Sequence, residues 1–165
     1  MKKVSITGES LIDITAAYIK INEGFSSMYY IDTTGNKTIG YGFNLAIYPS
    51  LSEPLNIEKA NILLNKSIEK NIQYACQIFD DPYHVNFFDN LEYNIQSVIL
   101  DMIYNLGISG FRDFNNFIYY IRNNNDSFIS AAIDLEHTLW YEQVGLRGKR
   151  AAFNLFHPSS SEIYI

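Results

Sequence analysis

The sequence has one cysteine (Cys76), one tryptophan (Trp140) and four prolines in 165 residues. A lone thiol cannot close an intramolecular disulfide, so the fold must hold without one and tolerates a reducing compartment. Positive charge is also scarce. Twelve Lys and Arg against 18 Asp and Glu give a net charge of −6 and a pI near 4.9, a balance that argues against nucleic-acid binding, which normally needs a basic face. No stretch approaches the ~20 apolar residues of a membrane span, so no membrane insertion is expected. Met1-Lys2-Lys3 resembles the start of a signal peptide, but Ser5, Thr7, Gly8, Glu9 and Ser10 follow where an apolar core would stand. His84, His137 and His157 show no metal-ligand spacing, and there is neither a Gly-rich phosphate loop nor a nucleophile elbow. No metal or cofactor is expected.

The length fits one globular domain, and an apolar fraction of 47% is ample for its core. A monomer is expected. The aromatic content, from 13 Tyr and 11 Phe alongside many Ile and Asn, carries no functional signal of its own.

The informative stretch runs from Ile21 to Leu45. Ile12, Ala16, Ile19 and Glu23 are spaced for one helical face, Ser10 with Asp13 suits the start of that helix, and Gly24 suits its end. A carboxylate closing an apolar stripe is expected to be partly desolvated, which favours the protonated form a general acid needs. Taken alone, the spacing of Glu23 fits better a polar residue at a fraying helix end. Tyr29, Tyr30 and Ile31 then read as a strand, Asp32 to Gly35 as a turn and Lys37 to Tyr41 as a returning strand. Gly40 and Gly42 point to a bulge or a close approach by another chain. Asp32 can cap its own turn, and Thr38 can be an ordinary strand residue.

Beyond the hairpin, Tyr48 to Asn56 reads as a linker. A helix is expected over Ile57 to Phe79 with the stripe Ala60, Leu64, Ile68, Ile72, Ala75 and Phe79, stopped by Asp80-Asp81-Pro82. Leu91, Ile95, Val98, Met102 and Leu106 mark another, closed by Gly107. Phe114, Phe117, Ile118 and Ile121 mark a short helix stopping in Asn123 to Asn125. Ile129, Ala132, Ile133 and Leu139 mark one more, capped by Asp126. Trp140 is read as a core residue, since a single tryptophan usually packs. Arg147, Lys149 and Arg150 form the one concentrated basic patch.

In combination these residues say more. Glu-Gly, then Tyr-x-Asp-x-x-Gly, then Thr-Ile-Gly-Tyr-Gly resembles the active-site segment of the phage-type lysozymes (endolysins) of glycoside hydrolase family 24, with both internal spacings matched. The segment from Leu139 to Phe156 is similar to the C-terminal Trp-Tyr-x-Gln…Arg-x-x-Arg pattern of that family, and the likeness extends in order from about Leu11 to Phe156. It implies an α+β, mainly α-helical fold: a small lobe with a β-hairpin joined by a long helix to a helical lobe. Over one domain of residues 1–165, the small lobe would cover about 12–56, the connecting helix 57–79, the helical lobe 80–156 and a tail 157–165.

The resemblance also implies roles. Glu23 would be the general acid, Asp32 and Thr38 would position the attacking water, Arg147 would pair with Glu23, and Asn105 would face the cleft and touch substrate. The substrate would be the glycan strands of bacterial peptidoglycan, cut by a muramidase at the β-1,4 bond between N-acetylmuramic acid and N-acetylglucosamine. With water as nucleophile the two carboxyl groups should lie roughly 6.5–9.5 Å apart and the reaction should invert. The protein would be made in the cytoplasm without a signal peptide and reach the wall by holin-assisted release or injection, with cytolysis as the outcome. The basic patch is then either a solvated helix face or a local counterweight to an acidic protein on an anionic wall. Where many members carry a histidine after Gly-x-Gly, this chain has Phe43, a departure that bears on stability rather than chemistry. Two alternatives stay open: a lytic transglycosylase, which needs only the glutamate, and a non-catalytic cell-wall-binding domain.

Overall fold

The computed structural model describes residues 1–32, 35–123 and 127–165. Helix α1 (Leu11–Glu23) begins at an extended Ser10, whose hydroxyl oxygen accepts the Asp13 N–H at 3.2 Å, and it ends where the Gly24 N–H donates to the Lys20 carbonyl. Its buried face carries Ile14, Ala16, Tyr18 and Ile19 and packs on α2 (Ile57–Phe79) and α3 (Tyr93–Arg112).

The chain then forms a three-stranded antiparallel sheet in the order β2 (Ser26–Ile31), β3 (Lys37–Gly40), β4 (Phe43–Asn44). Tyr41 lies in the turn after β3 and not in the strand expected to include it, and β4 was not anticipated. Ser26 faces Gly40 and Tyr30 faces Thr38, so the irregularity lies in the outgoing strand β2 and not at the glycines. The glycines serve close approach instead. At Gly40 (φ 71°) a Cβ would sit 2.7 Å from the Phe43 ring, and at Gly42 (φ 88°) 3.1 Å from the Glu23 carboxylate. Ile39, Tyr41 and Phe43 are buried with Leu51 and Leu55 of the linker. Phe43 packs edge-on against Tyr48, so its position is filled by apolar contact rather than by charge.

Helix α2 has the bounds expected, with Asn56 Oδ1 accepting from the backbone N–H groups of Glu58 and Lys59. Its 23 residues extend about 35 Å and connect the hairpin lobe to the helical lobe. The stripe is buried as read, except that Ile72 is only partly covered. A short 3-10 turn (Phe88–Asn90) precedes α3, so Leu91 packs just ahead of that helix. From Asn94 to Ile103 every residue of α3 is buried, as befits the centre of the helical lobe. Helical geometry breaks at Gly107 as expected, and one more turn continues to Arg112.

Helix α4 (Asn115–Arg122) buries Phe117 and Ile121. The single helix expected next is two: α5 (Ile129–Glu136) and α6 (Leu139–Val144). Of its expected stripe only Ala132 is buried: Ile129, Ile133 and Leu139 are 45%, 46% and 74% exposed, while Ala131 and Leu135 are buried instead, because small alanines let α5 pack closely on α7 (Leu146–Phe156). The expected cap at Asp126 lies outside the described residues; Phe128 precedes α5. Near the C-terminus, β5 (Glu162–Tyr164) pairs antiparallel with β1 (Lys3–Ser5). Asn94 and Asn154 fasten this end of the chain: Asn94 Oδ1 accepts from the Ser159 N–H, and the Asn154 side chain exchanges two hydrogen bonds with the Tyr164 backbone.

Candidate active site

Three elements meet at Glu23: the end of α1, the middle of α3 and the start of α7. Arg147 Nη1 donates to Glu23 Oε1 at 2.6 Å, while its Nε and Nη2 form a fork on Asp101 Oδ2 and Oδ1 at 2.9 and 2.8 Å. Asp101 is fully buried, the Arg147 side chain is 8% exposed and that of Glu23 is 19% exposed. Burial opposes the charge of Arg147, but Asp101 and then Glu23 more than offset it and hold the guanidinium above its ordinary range. The surroundings of Glu23 are therefore those of an ion pair and not only of an apolar stripe. The pairing with Arg147 is present as the resemblance implied.

The two carboxylate oxygens of Glu23 are distinct. Oε1 is on Arg147, whereas Oε2 lies against Gly42. Gly42 lines a cleft of about 630 Å³ whose floor is Ile103 to Ile108 and whose walls come from α2 and the segment after β3. A Cβ at residue 42 would crowd the Glu23 carboxylate at 3.1 Å, and Glu23 itself is not among the described residues that line the cleft. Tyr104 lines the same cleft and donates from its hydroxyl to the Tyr41 carbonyl at 2.6 Å, tying α3 to the hairpin. Burial, followed by the charge of Glu23, pushes the Tyr104 phenol well above its usual range, so it stays a donor.

Asp32 is held locally. Its Oδ1 accepts the Asn36 N–H at 2.8 Å, and its backbone closes the turn with Asn36 and Gly35. Thr38 is buried, with Oγ1 3.4 Å from Asp32 Oδ2 and 3.2 Å from the Asn36 carbonyl oxygen, so its one proton can go to either. Burial pushes the Tyr30 phenol up, and the charges of Glu23 and Asp32 add to that.

Asn105 is exposed at the cleft, and its Oδ1 accepts from Trp140 Nε1 at 2.8 Å. Trp140 is 6% exposed and packs edge-on against Phe114, as a core residue. The expected basic patch does not form. Arg147 is buried on two carboxylates, Arg150 donates to Asn22 Oδ1, and only Lys149 is exposed, because successive positions of a helix point to different sides. Among the described residues no group of three or more His, Cys, Asp or Glu side chains could hold a metal ion, and no helix is long and apolar enough to cross a membrane.

Reading the sequence missed Asp101, Tyr104 and Tyr30. Asp101 had a visible signal, being the only charged residue between Glu92 and Arg112 in an otherwise buried helix. The tyrosines had none among 13. Residues 20–152, which include all these side chains, match the family model described as phage lysozyme, and the chain belongs to that family.

Proposed function

We propose that this lysozyme cleaves the β-1,4 bond between N-acetylmuramic acid and N-acetylglucosamine, with Glu23 as general acid and Asp32 and Thr38 holding the attacking water. As a member of the phage lysozyme family the protein hydrolyses peptidoglycan and acts on the cell wall; the bond and the roles are the proposal. In this reading Glu23 donates a proton from Oε2 to the leaving O4 of N-acetylglucosamine as the C1–O bond breaks. Water adds to C1 of the muramic residue from the opposite face and passes its proton to Asp32, and the ionised Asp32 offsets the positive charge developing at C1. Asn105 would contact the sugar from the cleft floor. The observation that carries the reading is the division of labour at Glu23: one oxygen fixed by Arg147, the other against the cleft-lining Gly42.

The test is to digest purified peptidoglycan in ¹⁸O-labelled water and analyse the products. Reducing-end N-acetylmuramic acid carrying one label from solvent, lost in Asp32→Asn, is the expected result. A 1,6-anhydro product would make the protein a transglycosylase and remove Asp32 from the chemistry. Glycan binding without any cleavage would favour a binding domain.

A further inference from the structure

A general acid beside an arginine poses an electrostatic problem. Set alone against Glu23, a guanidinium would favour the carboxylate, which has no proton to give. Arg147 is not alone with it. Burial works against the charge of Arg147, and Asp101, ahead of Glu23, supplies what holds it. Asp101 takes Nε and Nη2 in a fork at 2.9 and 2.8 Å, and its backbone carbonyl accepts from Nη2 at 3.4 Å. Glu23 receives one bond, from Nη1.

Two carboxylates thus share one guanidinium in a site where Asp101 is fully buried and Glu23 mostly so. With both ionised, the three groups would hold one surplus negative charge largely out of water, which is costly. One proton makes them neutral. The fork occupies both oxygens of Asp101, whereas Glu23 Oε2 lies against Gly42 and accepts no hydrogen bond among the described residues. Oε2 is therefore the place for the proton. The other ionisable groups around Glu23 do not upset this balance. On α1, Lys20 lies over the Tyr41 ring, and on α7, Arg150 donates to Asn22. The phenols of Tyr18, Tyr30, Tyr41 and Tyr104 are all pushed up, first by burial, so they stay neutral. Asp32 on the hairpin turn adds negative charge, which also favours a protonated Glu23.

We propose that Asp101 is a positioning residue for proton donation: by balancing the charge of Arg147, it lets Glu23 keep its proton while the same arginine holds Oε1 in place. The inference rests on the hydrolase reading above and adds a residue to it. Arg147 then orients the acid without ionising it, because the Asp101–Arg147 pair carries no net charge. With no exposed surface, Asp101 acts only through Arg147. Its loss would show not in stability alone but in the pH range over which the enzyme works.

The experiment follows the Glu23 side-chain carboxyl by ¹³C NMR across pH, its resonance identified by its absence from Glu23→Gln. Beside it, the pH profile of kcat/KM is measured on soluble, uncross-linked peptidoglycan strands. In Asp101→Asn the resonance should titrate at least about one pH unit below wild type, and the basic limb of the profile should move down with it. Activity near neutrality then falls roughly tenfold and recovers as pH falls. The double variant Asp101→Asn, Arg147→Gln removes a pair of no net charge, so both readouts should lie within about one unit of wild type. It also serves as the test if the single variant does not fold. Three results overturn the role of Asp101 and leave the hydrolase standing: an unmoved resonance in folded Asp101→Asn, a profile that stays while the resonance moves, or a double variant further from wild type than that. Failure of the folded wild type to cleave the strands overturns the hydrolase reading, whatever the resonance does, and the role with it.

Discussion

Glu23 and Asp32 are nine residues apart and are held in opposite ways. Glu23 is fixed by Arg147, 124 positions further on, and Arg147 is in turn fixed by Asp101 on a third element. Asp32 is fixed by Asn36 and Thr38, four and six positions on, within one turn of the hairpin. The first carboxylate acquires its surroundings only when the helical lobe has assembled; the second carries its own with it. Damage to the first support should therefore appear in global stability, and damage to the second mainly in activity.

The largest stability effect should come from Asp101→Ala, which leaves Arg147 buried with a single partner that is itself part-exposed. A loss of about 3 kcal/mol is expected, against about 1 kcal/mol or less for Asp32→Asn, both measured by urea unfolding. Equal losses would break the comparison. Gly42→Ala should sharpen it from the other side. At φ 88°, with a Cβ 3.1 Å from Glu23 Oε2, the variant strains the backbone and displaces the carboxyl. Turnover should drop roughly 10- to 100-fold while the stability loss stays about 1 kcal/mol, read by steady-state kinetics and unfolding together.

The smallest effect concerns Asp81, a second locally held aspartate, in the loop after α2. The Tyr83 N–H, helped by His84, holds its carboxyl below the usual 3.8. A depressed value means that the stabilisation is present above the unfolded group's range and is lost as pH falls through the folded value. Asp81→Asn should thus be slightly less stable than wild type near neutrality, and the gap should close on acidification below the aspartate range. A gap that widens with acid would contradict the sign.

The two ways of holding a carboxylate also explain what was legible in the sequence. Local devices could be read directly: the Ser10 cap, the turn at Asp32, α2 with its bounds and apolar stripe, the break at Gly107. Long-range ones were not. The β1–β5 pairing joins two three-residue strands at opposite ends of the chain, too short to show a period. The stripe of α5 was misjudged at Ile129 and Ile133 because isoleucines outrank alanines in hydrophobicity, while close packing on α7 selected Ala131 beside the expected Ala132. The Glu23–Arg147 pair was reached only through family resemblance, and Asp101 was not reached at all, since neither spacing nor composition links α1, α3 and α7.

The central claim is that Glu23, at the end of α1, supplies the proton. The most direct measurement is release of reducing ends from purified peptidoglycan by Glu23→Gln beside wild type, with urea unfolding of both. The glutamine keeps the shape and an oxygen for Arg147 but has no acidic proton to give. The account predicts at least a 100-fold loss of activity with unfolding free energies within about 1 kcal/mol. A folded Glu23→Gln protein that still releases reducing ends at near the wild-type rate would contradict it.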